Sequence, residues 1–312
     1  MSSIQQLNLA FSNAVNQFEK TTGDCRTIIP RYVCSKTTDF VATIEPKGNG
    51  YVLSLSSGLA EKSSQLWAEV FTNVGLLENV FAKAFLNADQ MTQASLVWLI
   101  LHEFHHIDLK HFELARSFDV AQRSRAGSPQ KFLNISRLCL EMQADHEATE
   151  MLLGAYSPDN WQDLREKVLA ISGMMMLIEL EDSQNGAKGR THPKAATRIF
   201  QLLGHLAEMP LVQAQIIQDA SLIPSQDELQ AFAHDVTIPC FFDAIELAQI
   251  ARAVSIADDL GTLEDFFKDL EIAKLRDPSR YKGLKTQGAQ EWAKLWPYNE
   301  ALKPILGGDF DR

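Results

Sequence analysis

Residues 102–106 read His-Glu-Phe-His-His, with two histidines four positions apart and a glutamate between them. Positions four apart share one face of a helix, so His102 and His106 can turn both imidazoles toward a single ion. Glu103 lies one step round from His102, within reach of a water held by that ion, where a carboxylate serves as general base. Apolar Val97, Leu101 and Phe104 would bury such a helix and keep its donors rigid. The plain alternative is a cluster of histidines on the surface of an ordinary helix.

A metal held by two histidines needs a third protein donor. Counting about 100° per residue, His105 stands about 100° from His106, and His111 stands about 180° from His102 on an uninterrupted helix. Both are therefore expected to point away from the ion, and His111 joins its surroundings only if the helix breaks. The longer HExxHxxGxxH arrangement would place glycine at 109 and histidine at 112, where Leu109 and Phe112 stand. Downstream, in CLEMQADHEATEMLL, Glu141 and Asp145 are four apart and share a helical face. Glu141 would complete a His-His-Glu zinc set and leave the fourth position to water. Asp145 would accept a hydrogen bond from the far nitrogen of a ligand histidine. His146 is a rival third donor, and a solvated helix face is the structural alternative for the whole group.

Four segments in order then resemble a known family. GYVLSLSSGL, HEFHHIDLKH, EMQAD and THPKAATRI, between about residues 50 and 200, are similar to the M48 group of gluzincin metallopeptidases. That group shows a strand followed by a GL element, HExxHxxxxH, ExxAD on a later helix, and HPxxxxR. The resemblance implies a zincin-like fold and His102, His106 and Glu141 as Zn2+ ligands. It implies Glu103 as general base and Asp145 as the aspartate of ExxAD. His192 matches the family's histidine that stabilises the oxyanion, and Arg198 matches an arginine organising charge around the site. The phage-exclusion Lit-type peptidases, matched at HExxH alone, are a second resemblance. Together these imply hydrolysis of peptide bonds in a protein or peptide substrate. The alternatives are a regulated or latent cellular factor with an intact site, and a non-hydrolytic zinc protein whose metal is closed off by four protein ligands.

These residues must be carried by elements that the sequence also outlines. Asn87, Asp89 and Thr92 are candidate N-caps for the His102 helix. Further helices are expected over about residues 4–20, 60–86 and 130–153, from SPDNWQ onward, and after His192. RTIIPRYVC, DFVATIEP and YVLSLSS read as three short strands, the last two joined as a hairpin by KGNG. YVLSLSS is either sheet core or an edge to which an extended substrate adds a strand. EDSQNGAKGRTHPK is a loop by composition, and SGMMMLIEL reads as packed core. The expectation is a mostly helical α+β fold, with a zincin-like domain over 1–205 and an acidic helical region over 206–312, either a second domain or a lid.

Composition narrows the setting. Residues 206–272 hold thirteen acidic and two basic side chains, a candidate docking surface for a regulatory partner. The net charge of −11 argues against nucleic acid, whose phosphates attract basic surfaces. Four scattered cysteines without CxxC pairing fit free thiols in a reducing compartment. The N-terminus shows neither a basic nor a long apolar signal segment, and no apolar run approaches the roughly 18–20 residues of a membrane span. The expectation is a cytoplasmic location.

Overall fold

Apolar residues at helical spacing and capping residues explain where the first elements begin and end. Helix α1 (Ser3–Thr22) starts at Ser2, which exchanges hydrogen bonds with Gln5 in a capping box, and it buries Leu7, Ala10, Ala14 and Phe18. A computed structural model of the chain describes residues 1–23, 28–73, 87–116, 130–184 and 190–306. Three strands follow α1: β1 (Arg31–Ser35), β2 (Ala42–Lys47) and β3 (Gly50–Ser56).

β2 and β3 form the expected antiparallel hairpin, paired from Ala42 opposite Leu55 to Lys47 opposite Gly50. Gly48 takes φ 62° in the two-residue turn, a conformation that costs glycine nothing. β1 adds to β3 in parallel, which gives the order β1-β3-β2. YVLSLSS is therefore the middle strand. Both of its edges are occupied by neighbours, and it buries Leu53 and Leu55, so the reading as sheet core holds and strand addition along β3 does not.

Helix α2 (Ser57–Thr72) begins directly after β3, with Ser56 as its N-cap. A Cβ on Gly58 would lie 2.3 Å from the Thr38 carbonyl oxygen, so only glycine lets the connection between β1 and β2 pass this close. The second half of the 60–86 helical segment and the polar SRAGSP stretch lie outside the described residues. Helix α3 (Ala88–Asp108) carries His102 and is capped by Asn87, with Gln90 completing a capping box.

Helices α4 (Gln130–Leu153), α5 (Trp161–Gln184) and α6 (Ala195–Ile217) complete the surroundings of α3. α3 packs against α1, α2, α4, α5 and β2, which is why its apolar residues occur on every side. Trp67 Nε1 donates to Ser95 Oγ at 3.0 Å, and Ser95 Oγ donates to the Ala170 carbonyl at 2.8 Å, tying α2, α3 and α5 together. SGMMMLIEL is core within α5, with Met174, Met175 and Met176 no more than 1% exposed. α5 also runs through Glu181–Gln184, so the expected loop is helical at its start.

α6 continues unbroken through residues 205 and 206, where the charge texture changes. The later helices are α7 (Gln226–Phe232), α8 (Ile238–Ile250), α9 (Val254–Leu260), α10 (Leu263–Lys274) and α11 (Gln287–Leu306). α11 packs against α4 and α6. One apolar cluster runs from Leu7 through Trp98 and Phe200 to Phe266, Trp292 and Leu295. The fold is mostly helical α+β, with a small three-stranded sheet among the described residues. Among the described residues no helix is long and apolar enough to cross a membrane.

Candidate metal centre

α3 and α4 lie side by side and bring together residues thirty-nine positions apart in sequence. His102 Nε2 lies 3.2 Å from Glu141 Oε2 and 3.1 Å from His106 Nε2, and His106 Nε2 lies 3.5 Å from Glu141 Oε2. Donors about 2.0–2.1 Å from a tetrahedral zinc ion are about 3.3 Å from one another. The three atoms already form a triangle of that size, and their chemistry, two imidazoles and a carboxylate, suits zinc. His102 is buried, His106 and Glu141 are partly so, and the Glu141 edge is open to solvent.

Burial alone would lower the pKa of His102, but the carboxylates of Asp145 and Glu141 beside it push it up to about 10. Burial alone would raise Glu141, and the surrounding histidines instead hold it well below the usual carboxylate range. Both shifts have one cause, the close approach of carboxylates and imidazoles in a buried setting.

Behind His102 stands a second layer. Its Nδ1 lies 2.9 Å from Asp145 Oδ1. Arg198 grips the same carboxylate with two hydrogen bonds, Nε to Oδ2 and Nη2 to Oδ1, both 2.7 Å. The guanidinium is fully buried and sits 5.5 Å from the Trp98 ring. Arg198 therefore reaches the centre through Asp145 and His102 rather than directly. Glu141 and Asp145 face α3 from one side of α4, as their spacing suggests.

Glu103 is buried close to these groups. Burial raises its carboxyl pKa, against the lowering pull of His106 and His102. A carboxylate destabilised in this way is a stronger base than one in water.

His192 arrives from the segment between α5 and α6. Its Nε2 lies 3.4 Å from Glu141 Oε2, and with His102 and Glu141 it forms an overlapping donor group. Asp182, at the end of α5, holds this segment in place. It accepts from the Thr191 hydroxyl at 3.0 Å, from the Thr191 amide at 3.2 Å and from the His192 amide at 3.3 Å. Thr191 Oγ1 in turn lies 2.8 Å from His192 Nδ1. Asp182 carries no motif signal, and only a search for an acceptor facing the THP segment would have singled it out.

His105 points away, as its angular position requires. It packs edge-on against Phe18, and burial lowers its pKa to about 3. His111 differs from expectation. α3 ends at Asp108, Lys110 takes φ 57°, and a new helical run begins at residue 111. This break turns His111 back toward the site, where its Nδ1 meets His106 Nδ1 at 2.9 Å. The expectation that it points elsewhere assumed an uninterrupted helix. His111 Nε2 lies 3.1 Å from Gln143 Oε1, and Gln143 Nε2 donates to Asn299 Oδ1 on α11 at 2.5 Å.

His146, the rival third donor, faces away from this centre. It belongs with Glu150 and His205 to a separate group beside a cavity of about 660 Å³.

With this geometry established, comparison with known proteins adds one match. A family model described as Peptidase U49 matches residues 58–213, which span every residue of the centre from His102 to Arg198. No curated protein and no solved structure matches the chain.

Proposed function

The chain belongs to the Peptidase U49 family, whose match covers half of its 312 residues, and from that premise we propose that it is a zinc-dependent endopeptidase acting on protein substrates. The observation that carries the reading is the triangle of His102 Nε2, His106 Nε2 and Glu141 Oε2, with edges of 3.1–3.5 Å, open on one flank and with Glu103 beside it. The M48-like order of motifs supports the same assignment.

A zinc ion bound there supplies Lewis acidity to a scissile carbonyl and lowers the pKa of its water. With zinc held by His102, His106 and Glu141, the Glu103 carboxylate would serve as the general base toward the attacking water and then as the acid toward the leaving amine. The raised pKa of Glu103 suits both halves of this exchange. Thr191 Oγ1 gives its hydrogen to Asp182 and so accepts His192 Nδ1–H, and His192 would stabilise an oxyanion through Nε2 in its doubly protonated form. Asp145 orients His102, and Arg198 keeps Asp145 ionised and in place.

The test is Glu103→Gln, examined for metal content and for cleavage of denatured and host proteins. The substitution should leave zinc bound and lower cleavage by about 10²–10⁴-fold. Zinc in both proteins with cleavage by neither overturns the peptidase reading.

The 3.4 Å approach of His192 Nε2 to Glu141 Oε2 favours a second reading, in which His192 is a fourth ligand that closes a structural zinc site. His192→Ala separates the two. In an open catalytic site it lowers kcat and leaves zinc affinity unchanged, whereas in a closed site zinc affinity falls.

A further inference from the structure

The contacts behind His106 form a chain whose hydrogen-bond directions can be worked out. Gln143 presents Oε1 to His111 Nε2 at 3.1 Å, and an amide oxygen can only accept, so the proton sits on His111 Nε2. The other nitrogen of a neutral imidazole is then an acceptor. It faces His106 Nδ1 at 2.9 Å, so His106 carries its proton on Nδ1. The Nε2 of His106 is left with a lone pair directed toward His102 and Glu141, the form that binds a metal.

Gln143 is itself held in this orientation, because its Nε2 donates to Asn299 Oδ1. The direction of the whole chain therefore follows from the oxygen that Asn299 presents to Gln143. Two side chains, His111 and Gln143, thus link His106 to Asn299 on α11, and each passes its polarity to the next. Asn299 lies outside the matched residues 58–213, so this support comes from a part of the chain beyond the family segment.

We propose that His111, Gln143 and Asn299 are positioning residues that preset the metal-binding tautomer of His106, with the acceptor on α11 fixing the direction of the chain. The proposal rests on the zinc reading of the centre. It assigns a role to the last histidine of HEFHHIDLKH and makes α11 a contributor to the metal centre.

The experiment uses the full chain with ¹⁵N-labelled histidine, first without metal. His106 should show the Nδ1–H tautomer and His111 the Nε2–H tautomer, with His111→Gln used to assign the signals. Zinc affinity is then measured by chelator competition, alongside the melting temperature of the metal-free protein. Asn299→Leu removes the terminal acceptor and should weaken zinc binding by about 10–100-fold, the range seen when outer partners of ligand histidines are lost. Asn299→Asp keeps an acceptor and should retain the affinity of the unsubstituted chain. A purely structural role would lower metal-free melting in Asn299→Leu without changing zinc affinity once folded. That result, or a His111 Nδ1–H tautomer in the unsubstituted protein, overturns the proposal. The tautomer measurement needs no substituted chain to fold. If the tautomers are as stated but the unsubstituted protein binds no zinc, the chain of hydrogen bonds stands and the zinc reading falls.

Discussion

Behind His102, Arg198 and Asp145 are joined by a paired hydrogen bond. Both side chains are almost wholly buried, so each ion depends on the other for the solvation it has lost. Burial alone would raise the pKa of Asp145, but Arg198 and His102 hold it well below the usual carboxylate range. A group depressed in the fold contributes stability above its unfolded pKa of about 3.9, and that contribution disappears as pH falls toward the folded value. Arg198→Met leaves Asp145 charged and buried, with an expected cost of about 3–5 kcal/mol in urea unfolding at neutral pH. The double change Arg198→Met, Asp145→Leu should restore much of that loss while leaving His102 unsupported and zinc binding weakened. Equal stability of the single variant and the unsubstituted chain would mean that water or another cation solvates Asp145.

At the scale of elements, α11 is the helix whose role changes most when the fold is known. Besides Asn299 it carries Glu291, which accepts from the Lys194 amide at 2.9 Å and from the Thr197 hydroxyl at 2.7 Å, at the start of α6. Glu291 also pairs with Arg190 at 2.5 Å, two residues before His192. The helix therefore braces the segment that delivers His192 as well as the chain of hydrogen bonds behind His106. Its approach is close: a Cβ added at Gly288 would meet the Ala196 carbonyl oxygen at 2.7 Å. Gly288→Ala must push α11 and α6 apart, with an expected destabilisation of about 1–3 kcal/mol and reduced cleavage. Thermal melting and a cleavage assay on the same preparation would show both effects, and unchanged melting would mean that the two helices separate without cost.

Across the whole molecule, the apolar cluster joins the N-terminal helix to the C-terminal one. Ala289, Trp292 and Leu295 of α11 are buried in the same cluster as Leu7 and Trp98. A lid that could be removed to release activity would share little core with the catalytic part. Ending the chain before residue 287 should therefore abolish cooperative unfolding and near-ultraviolet circular dichroism rather than produce a more active enzyme. Retained cooperative unfolding with increased cleavage would restore the lid. The cavity of about 660 Å³ lies beside this contact, and Gln143 and Asn299 both line it.

Local chemistry made much of the centre legible in the sequence. The i,i+4 spacing of His102 and His106, and of Glu141 and Asp145, follows from helical geometry alone, so each pair could be placed on one face before any fold was known. The hairpin was legible because a Gly-Asn turn between β-rich runs has few other solutions. His192 and Arg198 were legible only through the resemblance, since a histidine before proline and a cation on a helix have no periodic partner.

Other features depended on distances between remote segments, and no local pattern encodes them. Asp182, Glu291 and Asn299 are ordinary polar residues in sequence, and they matter because folding places each acceptor opposite a donor near the centre. The break after Asp108, with Lys110 in the left-handed region, reversed the reading of His111, because angular counting holds only while a helix continues. The place of β3 in the middle of its sheet likewise came from β1 adding in parallel across a connection of fourteen residues. Residue types and spacing determined which donors this chain can offer a metal, since a candidate metal site is specified by its donors. Tertiary structure decided which side chains hold those donors in register, because hydrogen bonds to them form wherever packing brings partners within about 3 Å, whatever their distance in sequence.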